Sequence, residues 1–330
     1  MAHGSGGTAS RDLVRDLFLA HYGTPTLADL GDAALLALPG GRLAFTTDSY
    51  VISPLFFPGG DIGRLAVCGT VNDLAVAGAT PCYLSAGFIL EEGLPLEVLD
   101  RVAASMGETA RAAGVQIVTG DTKVVERGAA DGLYINTAGV GTVPDGRLLG
   151  PGQLRPGDCL LVSGTIGDHG LAVMLTREGF AFQSDLVSDC APLHDLVASL
   201  LEACPGGVRT MRDPTRGGLA SLLNEWALAA GVGLEVAQAS IPLREDVRAA
   251  CELLGLDPLY AANEGKVVAA VTPEGAESAL SALRAHPLGR NAAVIGQVTA
   301  EHAGRVVLRT PFGARRLLGM LSGDQLPRIC

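Results

Sequence analysis

The chain has 330 residues, 48% of them hydrophobic, which is enough to bury a full core and suggests about two domains. Its formal net charge of −11 repels phosphate backbones and anionic lipid, so neither nucleic acid nor a membrane surface is an expected partner. There is no apolar run of membrane-spanning length and no signal peptide, and the seven cysteines are scattered without a CxxC pair. An odd, dispersed set of thiols argues against a disulfide framework or structural zinc and for a reducing, cytoplasmic setting.

In chain order, Arg11 to His21 reads as an amphipathic helix with Leu13, Leu17 and Phe18 on one side. Leu43 to Thr47 reads as a strand ending at Asp48. Ile62 to Ala77 is apolar nearly all round and predicts a buried helix. Leu94 to Ala113 predicts a second long helix stopped by Gly114, followed by a strand at Val115–Val118 and another over Leu133–Val143. Turn formers crowd Pro144 to Gly157 and place a domain boundary near residue 150. Beyond it come a strand at Cys159–Val162, helices over 191–203, 217–230 and 244–254, and strands near 234–236, 267–268 and 294–295. Strands and helices mix without strict βαβ alternation, so the expected class is α+β. From Pro311 the pattern weakens, and 311–330 reads as a loosely held tail.

The chemistry-bearing residues are mostly aspartates beside glycines or at strand ends: Asp32, Asp48, Asp73 and Asp121. Each alone suits a cap or turn; converging, they suit Mg²⁺, which prefers hard oxygen ligands shared with phosphate. Asn72-Asp73 stands out because it interrupts an apolar helix. No GxxxxGK[ST] loop and no GxGxxG occurs, so a P-loop or a dinucleotide fold is unsupported. His3-Gly4-Ser5-Gly6-Gly7 is either a phosphate nest or a loose terminus. Asp213-Pro214-Thr215-Arg216-Gly217-Gly218 and Gly164 to Gly170 each precede or open a helix, where Asp or Thr can simply cap. Glu264, in Asn263-Glu264-Gly265-Lys266, is either a general base or a surface ion-pair partner.

Of 24 basic residues only two, Lys123 and Lys266, are lysine. Where arginine serves nearly everywhere, a retained lysine points to a role that needs a compact ammonium able to give up its proton. Cys330 is the last residue. A terminal thiol on a tail can reach more than one site, but its own carboxylate disfavours the thiolate, so it needs local help to react.

Together these motifs, with Thr46-Thr47-Asp48-Ser49-Tyr50-Val51, Thr119 to Val125, Gly167-Asp168-His169-Gly170 and the terminal Pro327-Arg328-Ile329-Cys330, resemble the HypE family of hydrogenase maturation carbamoyl dehydratases. The likeness runs the whole chain, and the terminal cysteine motif is its most specific part. It implies a two-domain PurM-like (AIR synthetase-like) α+β fold with mixed sheets. Residues 1–150 would bind ATP and Mg²⁺ and pair in a homodimer, 151–310 would form the second domain, and 311–330 would be a flexible tail. It implies Cys330, Lys123 and Glu264 as catalytic residues. Gly4, Gly6, Gly7, Asp48, Asn72, Asp73, Asp121, Asp213 and Asn263 would bind cofactor, and Asp32, Asp48, Asp73 and Asp121 would hold metal. The implied partners are the carbamoyltransferase HypF and a HypC–HypD iron scaffold. The rival readings are another PurM-like enzyme acting on a free small molecule, of the selenophosphate synthetase, AIR synthetase or thiamine-phosphate kinase type, and a nucleotide-binding redox sensor. None of the rival enzymes accounts for Cys330.

Overall fold

Strict alternation along Gly41–Tyr50 turns Ala44, Thr46, Asp48 and Tyr50 inward and Phe45, Thr47 and Ser49 outward. This is strand β2 of a computed structural model that describes residue 8 and residues 34–38, 41–177, 185–323, 326 and 329–330. The expected helix over 11–21, together with Gly4, Gly6, Gly7 and Asp32, lies outside the described residues.

The first half forms β1 (Ala34–Leu38), β2, the short hairpin β3 (Phe56–Phe57) and β4 (Gly60–Asp61), and α1 (Ile62–Val76). It continues with β5 (Thr80–Glu91), α2 (Leu96–Ala112), β6 (Gln116–Val125) and β7 (Leu133–Val143). The five-stranded sheet runs β1-β2-β7-β5-β6; β5 and β6 are parallel, joined by α2, and every other pair is antiparallel. Asp61 caps α1 by accepting from the amides of Gly63 and Arg64. The helix is buried almost all round because it lies between β2 and β7, α2 and the second half of the chain. Gly69 permits that depth: a Cβ there would collide with Tyr50 Oη.

The second half comprises β8 (Cys159–Val162), α3 (Asp168–Arg177), α4 (His194–Ala203), β9 (Val208–Arg212), α5 (Gly218–Ala230) and β10 (Gly233–Ala237). After these come α6 (Glu245–Leu254), β11 (Val268–Val271), α7 (Ala276–Ala285), β12 (Ala293–Thr299), β13 (Val306–Arg309) and β14 (Arg315–Leu318). Its seven-stranded sheet has the order β14-β13-β10-β12-β8-β11-β9. Both faces are covered. Leu160 and Val162 join Leu219, Leu223 and Trp226 of α5 in one core, while Leu161 joins Leu196, Leu200 and Leu283 of α4 and α7 in another. Ala75 and Val76 of α1 enter the second of these cores and tie the two halves together. The fold is α+β, as expected.

Two boundaries differ from the sequence reading. The strand expected over 115–118 runs on to Val125, carrying Asp121 and Lys123 in its body. The tail expected from residue 311 opens instead as β14, paired antiparallel with β13. Its four residues include two arginines, so the strand has no alternating apolar pattern to betray it. Farther along, Leu326 and Ile329 are buried in the core shared by α1, α2, α3 and α6.

Candidate functional site

The inward face of β2 meets α1 at a cluster of carboxyl groups. Thr46 Oγ1 donates to Asp73 Oδ2 at 2.8 Å, and two residues along β2 the Asp48 carboxylate accepts from Ser49 N. Asp48 stands 3.6 Å from the guanidinium of Arg216, which comes from the second half of the chain. The turn carrying Arg216 is possible because Gly217 and Gly218 both take left-handed φ values, +71° and +58°.

The Arg216 guanidinium also lies close enough to the Cys330 thiol for each to shift the other's titration. Burial pushes that thiol up to about 11; Arg216 pulls it down, while Glu264 and Asp48 push it up. At neutral pH Cys330 is therefore a thiol awaiting activation. Its main-chain oxygen accepts from Val51 N at 3.1 Å, so Cys330 sits at the end of β2.

Glu264 is 2% exposed. Burial first, then the neighbouring Asp213, Asp189 and Asp48, raise its carboxyl well above the ordinary value. Its amide donates to Asp189 Oδ1 at 3.1 Å. Lys266 is bound to Asp189 at 2.9 Å and lies 3.7 Å from Asp168, which also accepts from Thr165 Oγ1. For Asp189 burial acts upward, but Lys266, His169 and the Glu264 amide outweigh it and hold the carboxyl below its usual range. Gly265 between Glu264 and Lys266 is obligatory, since a Cβ there would strike Asp189 O. Two more thiols, Cys68 and Cys190, are buried together beside Glu264.

His169, fully buried, faces Ile329 O through Nε2 at 2.6 Å and Ser188 Oγ through Nδ1 at 2.8 Å. Burial lowers its pKa, against the pull of Asp189 and the Ile329 carbonyl, and keeps the ring neutral.

The structure thus gathers Cys330, Glu264, Asp48, Asp73 and Asp213, and corrects several expectations. Asn72, expected to bind cofactor, is 0% exposed. Its Nδ2 donates to Ala191 O and Glu264 O, and its Oδ1 accepts from Leu193 N. It anchors the Glu264 loop to α1 and has no N–H left for a nucleotide. Asn263 is likewise spent: it donates to Pro214 O and Ala261 O and accepts from Gly167 N.

Lys123, expected as a catalytic residue, is 70% exposed and paired with Asp121 at 2.9 Å. It pairs in register with Ile89, Ile89 with Tyr134, and the next strand over is β2 at Tyr50. Three strand spacings, about 14 Å, therefore separate it from the end of β2 within one chain. The buried lysine is Lys266. For the same reason Asp121 does not converge with Asp48 and Asp73. Among the described residues no group of three or more histidine, cysteine or acidic side chains is arranged to hold a metal ion.

Arg216, His169, Ser188 and Asp189 escaped the sequence reading as site residues. The first two stood inside motifs read as possible helix starts. Nothing in Val187-Ser188-Asp189-Cys190 sets it apart from an ordinary loop.

Two sheet-and-helix halves with a carboxyl-rich site between them define a two-domain protein of the AIR synthase related class. The N-terminal domain family of that class matches residues 30–143 and the C-terminal domain family residues 155–309. The chain is 57% identical over 330 residues to carbamoyl dehydratase HypE of Azotobacter vinelandii, covering 100% of this chain and 96% of the relative. The crystal structure of a hydrogenase maturation protein HypE in complex with ATP is 53% identical, with a TM-score of 0.85 over 99% of this chain and 98% of that one. The HypE of a HypE–HypF complex structure is 44% identical, with a TM-score of 0.88 over 94% of this chain and 99% of that one. The chain belongs to the HypE family of carbamoyl dehydratases that act in hydrogenase maturation.

Proposed function

We propose that the chain uses ATP to dehydrate a carbamoyl group carried on Cys330 to a thiocyanate, the source of a cyanide ligand for hydrogenase iron. The observation that carries this reading is the docking of the terminal thiol beside Arg216 and the buried acid Glu264, in a chain similar to an ATP-bound HypE. An amide oxygen is a hopeless leaving group; phosphorylation by ATP with Mg²⁺ turns it into phosphate. Asp73 and Asp48, neighbours on the inward face of β2 and α1, fit a nucleotide-borne Mg²⁺, which needs only one or two carboxylates beside phosphate oxygens.

The remaining work falls to this chain's residues. Arg216 orients the S-carbamoyl group and offsets charge developing on its oxygen. Glu264, in its ionised form, takes a proton from the amide nitrogen and must pass it to solvent before taking the second; its raised pKa makes it a stronger base when ionised. Asp213 adjoins Glu264 and tunes it. Asp121 and Lys123 lie on the outward face of the five-stranded sheet with Phe45, Tyr83 and Ile89, which are 43%, 49% and 43% exposed. A second copy laid over that face would bring Asp121 and Lys123 to the nucleotide at a homodimer interface. A HypF-type carbamoyltransferase would load the thiol, and a HypC–HypD-type scaffold would accept the cyanide, in the cytoplasm.

The test is intact mass after incubation with the carbamoyltransferase, carbamoyl phosphate and Mg-ATP. The C-terminal peptide should gain about 43 Da and then lose about 18 Da, as covalent-tether chemistry requires. Cys330→Ala should abolish both changes and keep ATP binding. A wild-type thiol that never changes mass would remove Cys330 as the carrier and leave a PurM-like enzyme acting on a free small molecule.

A further inference from the structure

The end of the chain is held by a hydrogen-bond relay whose direction the partners dictate. Cys190 N donates to Ser188 Oγ at 3.1 Å. The Ile329 carbonyl can only accept, so the His169 Nε2 facing it carries the proton. In a neutral ring Nδ1 is then an acceptor, and Ser188, already accepting from Cys190, donates its hydroxyl proton there. Every position in the chain Cys190 N–H, Ser188 O–H, His169 Nε2–H, Ile329 C=O is filled in one way only.

Both middle members are fixed from outside. The Phe57 and His169 rings pack in a T, with centroids 5.4 Å apart and planes at 88°. Ser188 N donates to Pro58 O at 2.8 Å, and a Cβ on Gly59 would stand 2.7 Å from Ser188 O. The tail is also fitted to this spot: a Cβ on Gly170 would lie 2.9 Å from Leu326 Cδ1, and Val51 N holds the carbonyl of Cys330.

We propose that His169, kept in its Nε2–H form by Ser188, is a positioning residue that latches the C-terminal tail in the site and sets how long Cys330 stays beside Arg216 and Glu264. The inference rests on the reading of Cys330 as the group carrier, which requires the thiol both to enter the site and to leave it. A neutral donor suits that task. The bond it makes to a carbonyl is weak on balance against water, so the tail can release. A permanently charged donor would grip harder and slow departure.

The experiment is the rate at which iodoacetamide labels Cys330, read on the C-terminal peptide of the full-length protein without ATP or partner. His169→Leu should speed labelling about tenfold, the loss of one hydrogen bond's worth of protection. His169→Gln, which offers an N–H and an acceptor in the same order, should stay within about twofold of wild type. Ser188→Ala, which keeps the ring and frees its tautomer, should fall between and covers the case in which His169→Leu does not fold. In single-turnover dehydration by the loaded protein, His169→Leu should slow the chemical step and leave the KM for ATP unchanged.

Equal labelling in His169→Leu and wild type, or equal labelling in the Leu and Gln variants at matched melting temperature, would overturn the latch. So would an unchanged rate in a folded Ser188→Ala. Labelling needs no carbamoyl chemistry, so it reports on the latch even if the dehydratase reading fails.

Discussion

A carboxyl group stripped of water must be paired or protonated, and the site uses both solutions within a few residues. Asp189 is paired: Lys266 lies at 2.9 Å and the Glu264 amide at 3.1 Å. Glu264 has carboxylates for neighbours instead, and with burial they raise its carboxyl well above the ordinary value. Its folded pKa lies above the ordinary 4.5, so the stability it contributes is complete below that value and is lost as pH rises toward and through the folded pKa. Glu264→Gln cannot ionise and escapes this loss. The melting temperature of Glu264→Gln minus that of wild type should therefore grow steadily from about pH 5 to about pH 8, while dehydration falls by about a hundredfold or more. A flat difference across that range would mean that Glu264 titrates normally. The sequence pointed to Glu264 itself. It said nothing of the charge state, because that depends on Asp48, Asp189 and Asp213 arriving from three distant segments.

Among the elements, α1 carries the most. It is one wall of the first-half core, and through Asn72 it is the anchor of the loop that bears Glu264. Asn72→Ala would strip partners from Ala191 O, Glu264 O and Leu193 N, all sealed from water in a buried site. An unmade buried hydrogen bond costs about 1–3 kcal/mol, so the variant should lose roughly 3 kcal/mol or more in urea unfolding. A loss below about 1 kcal/mol would show that the loop holds its place without α1. This helix was legible from its apolar run. The role of Asn72 was misread because a polar residue inside such a run signals function and internal bonding equally. Strand β5 was missed for a local reason: Pro81 and Gly87 interrupt Thr80–Glu91, and both residues ordinarily count against a strand. Pro81 is accommodated at a register shift at Pro81/Tyr83, and Gly87 pairs in register with Asn136 of β7.

At the scale of the whole molecule, the two sheets are treated unequally. The seven-stranded sheet is covered by helices on both faces. The five-stranded sheet packs α1 and α2 on its inner face, and the other face exposes Phe45 on β2 and Tyr83 and Ile89 on β5, with β7 between the two strands. Exposed large apolar residues gathered on one sheet face are what the proposed dimer interface would cover. The same face carries Asp121 and Lys123, which the chain places too far from β2 to serve its own Cys330 directly. The proposed homodimer through this face would account for both the exposed apolar residues and the remote charged pair. Tyr83→Asp should then shift the protein from dimer to monomer in sedimentation velocity, since burying a carboxylate in an apolar interface is costly. The monomer should still accept a carbamoyl group on Cys330, because the thiol, Arg216 and Glu264 all belong to one chain. On the proposed dimer it should lose ATP-driven dehydration, because that proposal brings Asp121 and Lys123 to the nucleotide only across the interface. A monomeric variant with full dehydration would show that Lys123 and Asp121 take no part in the reaction and that the site between the two halves is complete by itself.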